Sequence, residues 1–144
     1  MDPSKIICWN VRGLNSADRQ NSVRNLVLSS KADVVCLQET KMTVISTRTI
    51  LAALGSDFCQ FSFLPSCGAS GGVLVAWKGH LGVTGLSRID RYNISIQFCN
   101  AHNHCWWLTC VYGPQSNSDK LLFLQELRDV RAAYTGPWLI AGDF

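Results

Sequence analysis

Continuous apolar runs open this chain, and each closes on a polar residue. Ile6 to Trp9 is unbroken and predicts a buried strand. Asn15 or Ser16 then offers a helix cap, with Val23, Leu26, Val27 and Ser30 recurring on one face, so a helix is expected to about Ser30. Asp33 to Gln38 predicts a second strand. Its apolar run does not alternate, which means burial on both faces. A second helix is expected over about Thr43 to Leu54, closed by Gly55.

The pattern then changes. Phe58 to Leu64, Gly72 to Lys78, Leu81 to Ile89, Tyr92 to Cys99 and His104 to Val111 read as five short strands of an antiparallel meander, separated by Gly, Asn, Asp and Pro. Asn93 to Phe98 alternates polar and apolar residues cleanly. A third helix is predicted from about Ser118 to Tyr134, with Leu121, Leu124, Leu127 and Val130 inward. Trp138 to Ala141 forms a last strand, as apolar as an interior one. The order β-α-β-α, then strands, then α-β implies two packed sheets flanked by helices.

Composition narrows the class. The chain has 144 residues, about one domain, and 47% of them are hydrophobic against 16% charged, which excludes a disordered chain. A net charge of +3 permits a polyanionic partner without requiring one. Seven cysteines at irregular spacing, with no Cys-x-x-Cys pair, make a poor disulfide framework. Cys8, Cys36, Cys99 and Cys110 lie in apolar runs and read as small buried hydrophobes, which points to a reducing intracellular compartment, cytoplasmic or nuclear. The opening Met-Asp-Pro-Ser-Lys has no signal-peptide character, and no apolar stretch is long enough to span a membrane.

The candidate chemistry sits where the apolar runs stop. Asn10 follows Trp9, Glu39 follows Leu37-Gln38, Tyr112 follows Val111, and Asp143 follows the last strand. Polar residues at strand ends are where α/β folds build sites. An amide, a phenol and two acids are the ingredients of a metal-assisted phosphodiester site.

Trp9-Asn10, Gln38-Glu39-Thr40, Ser70-Gly71-Gly72-Val73, Tyr112-Gly113-Pro114 and Gly142-Asp143-Phe144 occur in this fixed order. The set resembles the endonuclease/exonuclease/phosphatase (DNase I-like) superfamily. Trp9-Asn10-Val11-Arg12-Gly13-Leu14-Asn15 looks most like the endonuclease domains of plant LINE-type (non-LTR) retrotransposons. The resemblance covers the whole chain and implies a four-layer α/β sandwich of two packed mixed sheets flanked by helices. It implies that residues 1–144 are the N-terminal portion of a single such domain, with the C-terminal part missing.

By the same resemblance Glu39 matches the residue that binds the divalent metal, Mg²⁺ or Mn²⁺. A hard cation takes oxygen ligands and keeps several waters, so one carboxylate plus the substrate phosphate suffices. Asn10 matches the amide near the metal and scissile phosphate, Tyr112 the tyrosine contacting that phosphate, and Asp143 the aspartate of Gly-Asp-x-Asn that orients or deprotonates water. The implied activity of the intact domain is DNA nicking that leaves a 3′-hydroxyl to prime reverse transcription. Alternatives are a phosphatase or RNA-directed member of the superfamily, or a non-catalytic relic reading frame. Arg12 stands where some members carry a metal-supporting Asp, which implies changed surroundings for the metal. The asparagine of Gly-Asp-x-Asn and the later Asp and Ser-Asp-His segment would fall beyond Phe144, so this chain is expected to be inactive alone; its apolar last strand, left at an edge, is expected to make it poorly soluble.

Other motifs have plainer readings. Gly68-Ala69-Ser70-Gly71-Gly72 matches a nucleophile elbow in form, but strand follows it where the elbow needs a helix, so a hairpin or bulge is expected. His102 and His104 read as a polar hairpin loop, since a closed zinc site needs four ligands. Trp106 and Trp107 point to opposite faces of one strand, which makes at least one of them core. Arg88, Asp90 and Arg91 read as a solvated turn, and the sequence supports no phosphate contact there.

Overall fold

In a computed structural model, described over residues 4–67 and 71–144, the chain folds into two four-stranded sheets packed face to face. Gly68, Ala69 and Ser70, and with them part of the elbow-like run, lie outside the described residues. The elements follow in the order β1 (Ile6–Asn10), α1 (Ala17–Ser30), β2 (Val34–Gln38), α2 (Thr47–Ala53), β3 (Gln60–Leu64), β4 (Val73–Trp77), β5 (Val83–Ile89), β6 (Asn93–Cys99), β7 (Cys105–Tyr112), α3 (Asn117–Ala133) and β8 (Trp138–Asp143). The first sheet runs β1-β2-β4-β3 and the second β5-β6-β7-β8. β1 is parallel to β2, β7 is parallel to β8, and the other neighbours are antiparallel.

Strand parity sorts the side chains into four layers, as the α/β sandwich reading expects. Val34 and Cys36 of β2 and Val73, Val75 and Trp77 of β4 face Ile94, Ile96, Phe98, Leu108 and Cys110 of the second sheet. The opposite parity, Val35, Leu37, Leu74 and Ala76, packs under α1 and α2 with Val23, Val27 and Ile50. On the far side Tyr92 and Val111 lie against Phe123 and Leu127 of α3. β2 is buried at every residue, as its continuous run predicts. The alternating strand β6 puts its polar positions under α3 rather than in solvent. Asn93 Nδ2 donates to Glu126 Oε1 (2.9 Å), Ser95 and Thr109 hydroxyls share a 2.7 Å bond, and Trp138 Nε1 donates to Thr109 Oγ1 (2.7 Å). Burial of these groups is tolerated because each finds a partner.

Several expectations need correction. The meander is divided: β3 and β4 complete the first sheet, and the chain crosses to the second before β5. α2 starts after Ser46 rather than at Thr43, because Ser46 Oγ accepts from Thr49 N–H and supplies the cap. Leu26 lies on the exposed flank of α1. Leu121 and Leu124 are exposed while Phe123 joins Leu127 and Val130 in the core. Repeats of three fall about 60° short of a turn, so the expected leucines wind around α3 whereas 123, 127 and 130 stay on one stripe. Cys99 is not a buried free thiol. It is cross-strand partner to Cys105 near the β6–β7 turn and forms a disulfide with it, a pairing set by hairpin register that six-residue spacing alone does not reveal. Cys8 is exposed because β1 is an edge strand, whereas Cys36 and Cys110 are buried as expected.

The two tryptophans both pack. Trp107 stacks on Tyr134 at the end of α3 with ring centroids 3.7 Å apart, and Trp106 stacks on Phe98 at 5.0 Å. His102 and His104 lie in the β6–β7 turn, where both backbone N–H groups donate to Asn100 Oδ1. Arg88 Nε donates to Asp90 Oδ2 at 2.8 Å, tying the β5–β6 turn. No helix among the described residues is long and apolar enough to cross a membrane.

Candidate active site

Two parallel strand pairs, one from each sheet, end at the same place. β1 and β2 deliver Asn10 and Glu39; β7 and β8 deliver Tyr112 and Asp143. β1 and β8 are the edges of their sheets and touch across the sandwich. Asn10 and Asp143 are therefore joined although 133 positions separate them: Asn10 Nδ2 donates to Asp143 Oδ2 at 2.5 Å. The other end of the amide is also held, since Arg12 N–H donates to Asn10 Oδ1 at 3.1 Å. Tyr112 Oη donates to Glu39 Oε2 over a longer 3.4 Å, and Lys41 Nζ lies 3.6 Å from Glu39 Oε1. All four residues anticipated from the sequence thus converge.

Glu39 is placed by its backbone. It has a left-handed φ of +58°, an uncommon setting for a residue with a side chain. Two segments clamp it. Glu39 N–H donates to Gly72 O (2.8 Å) and Lys41 N–H to Gly71 O (2.6 Å), while Gly13 N–H donates to Glu39 O (2.7 Å). The glycine pair of the Ser70-Gly71-Gly72-Val73 run is explained by this approach: a Cβ on Gly71 would come within 2.8 Å of Glu39 Cγ. On the other sheet, a Cβ on Gly142 would reach Val111 O, so only glycine lets β8 lie close enough to β7 to present Asp143.

These contacts set the charges. The Asn10 amide beside it, followed by Lys41 and Tyr112, holds the Glu39 carboxyl below its ordinary value against the opposing effect of partial burial. Burial first, and then the Glu39 and Asp143 carboxylates, push the Tyr112 phenol up, so it remains a protonated donor at neutral pH. Cys8 has an exposed flank, but its thiol faces Gln38 and Cys110, and the loss of water on that side, followed by the Cys110 sulfur, raises it. Beneath the site Gln38, buried between the sheets, donates through Nε2 to Cys110 Sγ (3.2 Å) and Cys8 Sγ (3.3 Å).

The donor set suits a hard divalent cation: Glu39 is ionised, Asp143 is a second acid, and no thiolate competes. Among the described residues no three His, Cys, Asp or Glu side chains converge as a closed metal cage. A cation that keeps most of its waters needs only one or two carboxylates, so the residues fit such an ion without a cage. His80 and His104 border a separate cavity with Lys5 and Lys31, beside the opposite ends of β1 and β2. Sequence reasoning missed Lys41 and the bracing by Gly71 and Gly72. Lys41 two residues after Glu39 carries no periodic signal, and the clamp appears only when β2 and β4 pair.

Residues 7–144 match the Endonuclease/Exonuclease/phosphatase family. Among solved structures, the chain is similar to an AP endonuclease from Archaeoglobus fulgidus (TM-score 0.69, 20% identity, 98% of this chain and 57% of that one). It is also similar to the AP endonuclease LMAP from Leishmania major (0.65, 22%, 99% and 56%) and to truncated TDP2 from Caenorhabditis elegans (0.65, 13%, 96% and 60%). At these identities the likeness shows the fold alone, and the chain spans little more than half the length of the first two. No curated protein matches the sequence.

Proposed function

The chain belongs to the Endonuclease/Exonuclease/phosphatase family, and on that premise we propose that it carries one side of a metal-dependent phosphodiesterase site acting on DNA. The observation that carries the reading is the convergence of Asn10, Glu39, Tyr112 and Asp143 from four strand ends.

Each group has a role that follows from its surroundings. Glu39, kept ionised by Asn10, Lys41 and Tyr112, is the residue that would hold Mg²⁺ or Mn²⁺. When bound, the ion supplies Lewis-acid charge against the phosphate oxygens. Tyr112, protonated at neutral pH, donates a hydrogen bond to a phosphate oxygen. Asp143 orients the attacking water and accepts its proton. Asn10 is held at both ends, so its amide stays fixed between the two acids and orders them before substrate arrives. Such preorganised dipoles lower the barrier where charge develops in the transition state.

The Trp9 to Asn15 run supports a finer reading, a LINE-type endonuclease domain that nicks DNA to leave a priming 3′-hydroxyl. Among the described residues no histidine stands at the cluster to take charge of the leaving group. We expect residues 1–144 alone to show no substantial nicking, and a longer protein carrying them with the rest of the family fold to nick. The test is Mg²⁺-dependent relaxation of supercoiled plasmid by that longer protein. Glu39→Gln is expected to slow it at least ~100-fold, in line with the loss of a principal electrostatic group. Equal rates in wild type and variant would remove Glu39 from the reaction.

A further inference from the structure

A cavity of about 570 Å³ opens directly beside Tyr112. Its walls come from Leu64 and Pro65 at the end of β3, Tyr92 just before β6, and Pro114 after β7. Arg91 and Asp119 add a guanidinium and a carboxylate to the lining. The cavity is mostly apolar with a few fixed polar groups, the usual make-up of a small-molecule site, and it falls within the usual size range of about 300–1,000 Å³.

The wall is built rather than incidental. Glu126, from α3, accepts at Oε1 from Tyr92 N–H (3.1 Å) and from Asn93 Nδ2 (2.9 Å), so the Arg91–Tyr92 corner is tied to the helix. Tyr92 packs edge-on against Phe123, 6.0 Å between ring centroids, and Arg91 lies 5.1 Å over the Tyr92 ring. The Tyr92 hydroxyl is buried and makes no hydrogen bond, an expense that a ligand donor or acceptor would relieve. Neither the four-residue cluster nor the fold explains that orphan.

From these observations we infer that the cavity is a nucleobase subsite, which takes the base of the nucleotide adjoining the scissile phosphate. The proposal rests on the phosphodiesterase reading for the position of that phosphate. Tyr112 is shared: its hydroxyl lies at Glu39, and the residue also lines the cavity. A nucleotide with its phosphate at Tyr112 therefore has its base next to this opening. Aromatic and proline walls suit the flat face of a base, and stacking of this kind tolerates any sequence. Arg91 and Asp119 supply a donor and an acceptor at the base edge.

The test is direct binding, read by calorimetry without metal so that it stands apart from catalysis. The probes are deoxyadenosine 5′-monophosphate and deoxyribose 5-phosphate, titrated into the chain. Saturable binding of the nucleotide is expected, at least tenfold tighter than the sugar phosphate. Arg91→Ala, at an exposed position that leaves the core intact, is expected to weaken it at least fivefold, and Tyr92→Phe, which keeps the ring, to weaken it measurably. Equal affinity for the two probes would overturn base recognition in favour of a phosphate site. Unchanged affinity in both variants would overturn the location. Nucleotide binding that survives Glu39→Gln, while nicking by the longer protein is lost, supports both readings. Binding without any nicking by the longer protein removes the nuclease reading and leaves a nucleotide site standing.

Discussion

Gly71 and Glu39 touch closely enough that one methyl group decides the shape of the site. A Cβ on Gly71 would lie 2.9 Å from Glu39 Cα, which is backbone and cannot swing away. Gly71→Ala is expected to cost about 1–3 kcal/mol, the usual penalty for overpacking, and to displace Glu39. Urea denaturation together with nicking by the longer protein would show both effects. Titration separates the two glutamates that matter here. Glu39 has a lowered folded-state value, so its contribution is present above the ordinary glutamate range and is lost as pH falls through the lowered one. Glu126 is raised, first by burial, so its contribution is present below that range and is lost as pH rises through the raised value. Unfolding free energies measured against pH should accordingly show Glu39→Gln levelling with wild type in acid, and Glu126→Gln gaining on wild type as pH rises. A parallel pair of curves would contradict these assignments.

The elements show where sequence periodicity succeeds and where it misleads. The order and type of every strand and helix were legible, because each apolar run is short, distinct and bounded by turn residues. Rotation was less so. α3 was expected to bury Leu121 and Leu124, yet Leu121 is 71% exposed and Phe123 is in the core. Phe123→Ala is expected to cost about 3–5 kcal/mol through the cavity it leaves against Tyr92, and Leu121→Ala under about 0.5 kcal/mol. Denaturation midpoints of the two variants check which face is buried. Phase is hard to read when leucines line both sides of a helix and only the facing sheet selects among them.

For the molecule as a whole, the face of β8 matters most. It lies at a sheet edge with backbone groups open to pairing, and Leu139 on it is 44% exposed. An apolar edge of this kind favours association. Leu139→Lys is expected to raise the monomeric fraction, as measured by light scattering across concentration. Unchanged association would place the sticky surface elsewhere.

Sequence alone determined the α/β class and the order of elements, since apolar runs and the turn residues between them are local facts; it also put Asn10, Glu39, Tyr112 and Asp143 at the ends of such runs, while their candidate roles came from the family resemblance. It could not determine which strands pair, and that decision is what gathers the four candidate residues. Parallel pairing of β1 with β2 and of β7 with β8 brings the four strand ends together, and the sandwich sets the edges β1 and β8 against each other so that Asn10 meets Asp143. The division of the meander, the Gly71–Glu39 clamp, the Cys99–Cys105 bond and the cavity behind Tyr112 are contacts between distant segments as well. No local pattern encodes them, because their energies arise only when the two sheets close on one core.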